Sequence, residues 1–389
     1  MTKITKYLLC LTILALPLYI YRFKIGPVPS TILEILIYAT FLTSLFSGSF
    51  GKIKNRLAVI LGAVFVGAGL VGVFFDPDKI GALGLWKAYF VDGYLLFLII
   101  LSFAKEERRF ILDVLVFSGV LTAVSTLTLY FIGVKSADGR LLDLDRLSPN
   151  YLAMYLSPIL ALALYLFLAG KKVKTAIFLG GAGMIIGFAL VLTQSRGALF
   201  ALLGAAIVSA YALLKATKLK FMRHVLFALA IAAFFAGSYL AFRPDFVQTS
   251  GRVGQSSNIR YYIWTASYEI ARAHPVSGIG LSNYQNYFSD LTRSRVNYPE
   301  FITPEALTAH NLYLHIYLTC GILGLVAFVA LIVFSRFWNF KTAASAAFLV
   351  ILFYALIDTP FFRNDLAVLL WILLGIIYAG KFKTLNSKS

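Results

Sequence analysis

Apolar stretches of about 17–25 residues recur along the whole 389-residue chain, and that is the length an α-helix needs to cross a hydrocarbon core. Within lipid every backbone N–H and C=O must be satisfied inside the segment itself, so such stretches dictate helices. They are expected near 7–21, 31–47, 57–75, 82–103, 110–133, 150–169, 174–193, 198–214, 224–242, 310–334, 343–358 and 366–380. The first is read as a span and not as a cleaved leader, because no small-residue cleavage site follows it. The expected fold is therefore all-α: a polytopic membrane protein of about twelve transmembrane helices, forming a single domain over 1–389. A 60% hydrophobic and 13% charged composition and a mean hydropathy of +0.83 agree with lipid as the main solvent.

A net charge of +18 would suggest a nucleic-acid partner in a soluble domain, but in a membrane protein basic residues first report orientation. Lys52, Lys54 and Arg56, then Lys171, Lys172 and Lys174, then Lys215, Lys218, Lys220 and Arg223 recur in alternate loops. That pattern expects an even number of spans with both termini cytoplasmic, and contact with anionic membrane lipids accounts for the remaining basicity. No nucleic-acid partner is needed. Cys10 and Cys320 lie in apolar stretches and suggest neither a disulfide nor a metal site. Glycines at 62, 67, 69 and 72, and at 180, 181, 183 and 187, suit close helix packing. Glu34, Lys87, Asp92 and Asp113 are intramembrane charges, to be read as functional, as paired within the bundle or as snorkelling.

One connection is long. Residues 243–309 form the large extracytoplasmic loop and carry six arginines and no lysine. From Asn258 to Ala273, residues Ile259, Ile263, Ala266, Ile270 and Ala273 make the stripe of an amphipathic helix, with Ser256, Ser257 or Asn258 as its cap. That start would place Arg260 in the first turn, where free N–H groups and the helix dipole favour an anion. Arg196, in Gln194-Ser195-Arg196-Gly197, sits in a connection too short to leave headgroup depth. An arginine offers a planar fork that grips phosphate oxygens two at a time; it also serves lipid headgroups or a nearby carboxylate. His310, ahead of the tenth span, can act as a general base or as an interfacial hydrogen-bonder. His315 is too far round the helix to pair with it on a metal, and His224 and His274 read as structural. Asp143 and Asp145, close to Arg140 and Arg146, read as local salt bridges before they read as metal ligands.

The chain resembles the O-antigen ligase and Wzy-type polymerase superfamily of membrane glycosyltransferases. The residues that carry the resemblance are Gln194 to Ala198, Asn258-Ile259-Arg260 to Trp264, His274 to Gly280, and His310-Asn311 leading to Gly321-Ile322-Leu323-Gly324. A weaker match is Arg146 to Ala153, around Pro149-Asn150. The resemblance implies a metal-independent, inverting transfer of a glycan from undecaprenyl diphosphate to an acceptor hydroxyl, such as that of a lipid A-core, on the periplasmic or extracellular face of a bacterial inner membrane. It implies diphosphate-binding roles for Arg196 and Arg260 and a base role for His310, with no cofactor. Gln194, Ser195, Asn311, Asn150 and Arg146, in the same motifs, are the expected substrate-binding residues. Many members carry Glu nine residues after the histidine, where this chain has Thr319. Ligase is the leading expectation. A polysaccharide polymerase or a protein O-oligosaccharyltransferase shares the chemistry, and a transporter of lipid-linked sugars is the alternative of another class.

Overall fold

A computed structural model describes residues 3–26, 28–103, 105–170, 172–214, 251–293, 307–335, 337 and 342–380. The apolar stretches fold as helices, in chain order α1 (Lys3–Leu14), α2 (Ile32–Phe46), α3 (Arg56–Phe75), α4 (Lys79–Trp86), α5 (Asp92–Leu101), α6 (Lys105–Phe131), α7 (Pro149–Ala169), α8 (Val173–Thr193) and α9 (Arg196–Leu214). After the undescribed segment come α10 (Gly251–Ala273), α11 (Tyr284–Arg293), α12 (Leu312–Ser335), α13 (Ala343–Tyr354) and α14 (Asn364–Ala379). Six described segments are long and apolar enough to cross a membrane: α3, the continuous run Lys79–Leu101, Glu107–Phe131 of α6, α7, α8 and α12. Shorter apolar helices, α2, α13, α14 and Arg196–Tyr211 of α9, pack among them. The expected span at 224–242 lies outside the described residues.

Two departures from a pure helix bundle occur near the N-terminus. The expected first span is broken: α1 stops at Leu14, and Pro17 leads a 3-10 turn over Leu16–Ile20, since proline lacks the N–H that would continue the ladder. A β-hairpin follows, with β1 (Arg22–Ile25) antiparallel to β2 (Val28–Thr31) and Arg22 opposite Thr31. Thr31 then caps α2 by accepting from the Glu34 N–H. A π-helical turn, Lys87–Val91, joins α4 to α5.

The core is organised around α14, which is apolar on all sides and buried over nearly its whole length, as such a helix must be. Trp371 on α14 and Phe328 on α12 meet Phe65 of α3 at 5.9 and 5.3 Å between ring centroids. Phe361, in the turn 355–363 between α13 and α14, completes this cluster against Phe65 and Phe90 at 5.7 and 5.3 Å. A fully buried ring thus fixes a turn that carries polar residues on either side of it.

Glycine motifs from the loop and from α12 interlock. Gly321 leaves helical geometry at φ +69° and interrupts α12, and the turn 274–280 docks into the break. Ile279 N–H donates to Leu318 O at 2.7 Å, and Ile322 N–H donates to Val276 O at 3.1 Å. A Cβ on Gly278 (φ +71°) would lie 2.5 Å from Leu318 O, and one on Gly321 would collide with Val276 O. Both positions require glycine. In α3, Gly62, Gly69 and Gly72 are likewise closely covered while Gly67 is open, and in α8 Gly180 and Gly183 face Phe167 and Leu164 of α7 while Gly181 and Gly187 face open space, so the expected packing holds at some of these glycines and not at others.

The loop helix α10 ends at Ala273, ahead of His274-Pro275, as its stop signals indicate, but it starts at Gly251 and not at Asn258. The backbone is already helical at the three expected cap positions, Ser256, Ser257 and Asn258. Arg260 is therefore mid-helix, beyond the free N–H groups of the first turn, and the expected contribution of a helix N-terminus to its anion preference does not arise. The apolar stripe holds at Ile263, Ala266 and Ile270, with Ala271 and not Ala273 buried at its end. It packs with Tyr284 and Phe288 of α11, and Ile279, Ala309 and Leu318 complete a small separate core.

Candidate active site

At one end of the bundle, four connections converge: 132–148, the corner at 194–195, 307–311 and 355–363. Among the described residues, the three non-glycine residues with positive φ all lie here: Arg146 at +57°, Gln194 at +49° and His310 at +45°. Such conformations cost energy and persist only when the surroundings impose them, which is common at working sites.

The surroundings of His310 are specific. Leu312 N–H donates to Ala355 O at 2.8 Å, and the Asn311 amide donates to Leu356 O at 3.0 Å while its oxygen accepts from Leu314 N–H. These bonds lay 310–312 alongside 355–358. Nδ1 of His310 then stands 3.1 Å from Oδ1 of Asp358, a carboxylate only 3% exposed. Trp264 Nε1–H donates to the His310 carbonyl at 3.3 Å. One turn earlier on α10, Arg260 donates through Nε to Ile357 O at 3.3 Å, and its Nη2 lies 3.9 Å from Asp358 Oδ2. The spacing of Arg260 and Trp264 is thereby explained, since residues four apart share a helix face and this face clamps both strands of the site.

Burial by itself would raise the Asp358 carboxyl, but His310 and then Arg260, with the Thr359 N–H, outweigh it and hold Asp358 below the ordinary carboxylate value. An ionised Asp358 takes the Nδ1 proton of His310 as a hydrogen bond. Nε2 is left as the acceptor, and the ring is about a third exposed.

Arg196 opens α9 and is close enough to Arg260 and Arg140 for their positive charges to repel its own. Three guanidinium groups gathered at this end, two of them with a carboxylate nearby, make a positively charged corner that favours a polyanion. Ser195 is the hub that sets this corner: its hydroxyl bonds to Asn150 Oδ1 at 3.2 Å and to the Tyr354 hydroxyl at 2.9 Å, and it accepts from Ala198 N–H. Ser195, Asn150 and Asn311 thus spend their side chains on protein contacts. Gln194 and Arg146 are exposed.

Asp143 and Asp145 form ion pairs, but with distant arginines and not with Arg140 and Arg146. Asp143 meets Arg363 at 2.7 Å and accepts from Leu147 and Ser148 N–H; Asp145 meets Arg22 at 3.1 Å; Arg140 pairs with Asp138. Arg363 is buried between Asp143 and Asp365, with the Tyr151 ring 4.7 Å and the Tyr19 ring 5.2 Å away. Burial works against its charge, yet Asp365, Tyr19 and Asp143 raise its pKa above the usual arginine value. This cluster ties the loop 132–148 to the turn that carries Asp358. Thr319 is fully buried and donates to His315 O at 2.7 Å, so the carboxylate beside His310 comes from the turn and not from α12. His315 is also buried, with Nδ1 accepting from Ala309 N–H.

Sequence reasoning passes over Asp358 because it closes the expected span at 343–358. The signal is present as a lone carboxylate ending an apolar run, immediately before Thr359-Pro360.

Residues 181–329 match the Wzy_C family model, described as O-antigen ligase. The match places this segment in the O-antigen ligase/Wzy superfamily. These are glycosyltransferase-like membrane enzymes, and glycans and lipids are their general substrates. Arg196, Arg260 and His310 fall inside the matched residues, and Asp358 and Arg363 fall beyond them. Comparison with curated proteins gave no match.

Proposed function

We propose that this protein moves a glycan from a lipid-linked diphosphate, of the undecaprenyl type, onto an acceptor hydroxyl. The observation that carries the reading is the convergence of Asp358, His310 and Arg260 at one end of the bundle, within electrostatic reach of Arg196. The acceptor O–H loses its proton to Nε2 of His310 as its oxygen attacks the anomeric carbon. The bond from that carbon to the phosphate oxygen breaks on the opposite face, so configuration inverts. The lipid diphosphate leaves as an anion, stabilised by Arg196 and Arg260, and needs no separate acid. Asp358 is a positioning residue that fixes the tautomer and orientation of His310. Gln194 and Arg146 border the site as substrate contacts, while Ser195, Asn150 and Asn311 shape it. No step requires a metal or cofactor.

The basic loops of the opposite end support an extracytoplasmic site in a bacterial inner membrane, with both termini cytoplasmic and residues 243–309 outside. Ligase activity toward a lipid A-core or similar acceptor is the leading form; polymerisation or transfer to a protein hydroxyl uses the same groups. Purified protein given an undecaprenyl-diphosphate glycan and competing acceptors tests this directly. Product formation identifies the acceptor, and donor binding with no product on any acceptor would point to a transporter.

A further inference from the structure

A cavity of about 280 Å³ opens beside the site, lined by Thr308 and Phe362 from the two connections that carry His310 and Asp358. Four aromatic side chains line it, Tyr89 from the π-helical turn, Tyr151 at the start of α7, Tyr284 at the start of α11 and Phe362 from the turn that carries Asp358, and Arg363 and several leucines complete the wall. Tyr89 and Phe362 meet edge to face at 5.7 Å, and Phe362 meets His315 at 4.3 Å, so these rings hold each other in place. Polar side chains stand among them. The hydroxyls of Tyr89 and Tyr151 and the amide of Gln285 have no hydrogen-bond partner among the described residues. The ion pair of Arg22 and Asp145 closes one rim, bringing the β-hairpin against the loop 132–148.

We infer that this cavity is a saccharide subsite, taking a pyranose ring of the glycan one or two units away from the reacting carbon. This deepens the proposed transfer and rests on it. Rigid aromatic walls with a few unpaired donors and acceptors suit a sugar, whose ring presents C–H groups on its faces and hydroxyls around its edge. An acyl chain would leave the Gln285 amide and the tyrosine hydroxyls unpaired, and a phosphate would find both lining arginines already engaged, Arg22 by Asp145 and Arg363 by Asp143 and Asp365. Thr308 links the cavity to the base: it accepts from the Thr359 hydroxyl at 3.2 Å, and Thr359 N–H donates to Asp358. A sugar held here therefore reports to the turn that positions His310.

The test is binding, read without catalysis. Full-length protein in nanodiscs is mixed with the methyl glycosides of glucose, galactose and N-acetylglucosamine, and saturation-transfer NMR is recorded for wild type, Gln285→Trp and the Tyr151→Phe/Gln285→Ala double variant. Saturation transfer to at least one glycoside, lost in Gln285→Trp and weakened in the double variant while melting temperature is kept, is the expected result. No transfer to any glycoside in wild type, or transfer unaffected by Gln285→Trp, would overturn the subsite. In a parallel transfer assay, Tyr151→Phe and Gln285→Ala should each raise one KM by roughly three- to tenfold with kcat within about twofold. A rise in the donor KM places the donor glycan in the cavity, and a rise in the acceptor KM places the acceptor there. Active wild type with neither KM changed would remove the subsite and leave the proposed transfer standing; inactive wild type with intact glycoside binding would do the reverse.

Discussion

Asp358 Oδ1 lies 3.1 Å from Nδ1 of His310, although 48 residues separate the two in the chain. The histidine is on the approach to α12 and the carboxylate on the turn before α14, and the bonds of Asn311 and Leu312 to 355–356 bring them together. A base held in one tautomer needs such a partner, and it also needs the partner not to move. Phe361 and Arg363, buried in different clusters, immobilise the turn from the apolar and the polar side.

Asp358→Asn should keep the fold but lower kcat by about a hundredfold or more, because an amide no longer selects the Nδ1–H tautomer. Donor KM should change little. Steady-state transfer with purified protein checks this, and a variant with unchanged kcat would remove Asp358 from the mechanism.

Arg196→Lys and Arg260→Lys retain charge and lose the fork. Each should raise the KM for the lipid diphosphate by about ten- to a hundredfold, the scale of a charged hydrogen bond. Titration with the free lipid diphosphate as competitor should show the same loss of affinity.

The pH dependence of stability follows from Asp358, whose folded-state pKa lies below the ordinary carboxylate value. A depressed carboxylate contributes stability above its unfolded pKa, about 3.9, and loses it as pH falls through the folded value. The melting-temperature gap between wild type and Asp358→Asn should therefore be full near neutrality and narrow below about pH 4. A gap that widens on acidification would reverse the sign.

Asp143→Asn leaves Arg363 buried with one carboxylate fewer and should destabilise by about 3–5 kcal/mol, the cost of breaking a buried ion pair. Thermal melting in detergent measures it. Transfer by wild type should persist in excess chelator; loss on chelation would restore Asp143 and Asp145 as metal ligands.

Gly321→Ala forces a side chain onto a positive-φ residue and into Val276 O, and should lower the melting temperature more than Gly181→Ala, whose Cβ meets nothing within 4 Å. Equal effects would mean that the turn 274–280 is not docked into α12.

Helix positions were legible because apolar length and period are local properties: most expected spans coincide with described helices to within a few residues. Arg196, Arg260 and His310 were legible from short motifs, and the structure brings them to one end. What the sequence hides is pairing across distance. Asp143 sits beside Arg140 and Arg146 in the chain, yet its partner is Arg363, because only that arginine is buried with it and must be neutralised. The start of α10 is not legible because serines serve equally as caps and as ordinary helical residues, and local sequence does not choose between them. Asp358 is not legible because a carboxylate ending an apolar run has no motif of its own, and its meaning comes from His310.

The central claim is that His310 is the base of a glycan transfer from a lipid diphosphate. The most direct measurement is single-turnover transfer by His310→Ala, with donor binding followed on the same sample. The account predicts loss of product by about 10²–10⁴-fold with donor affinity kept within a few fold. Product formed at the wild-type rate would contradict it.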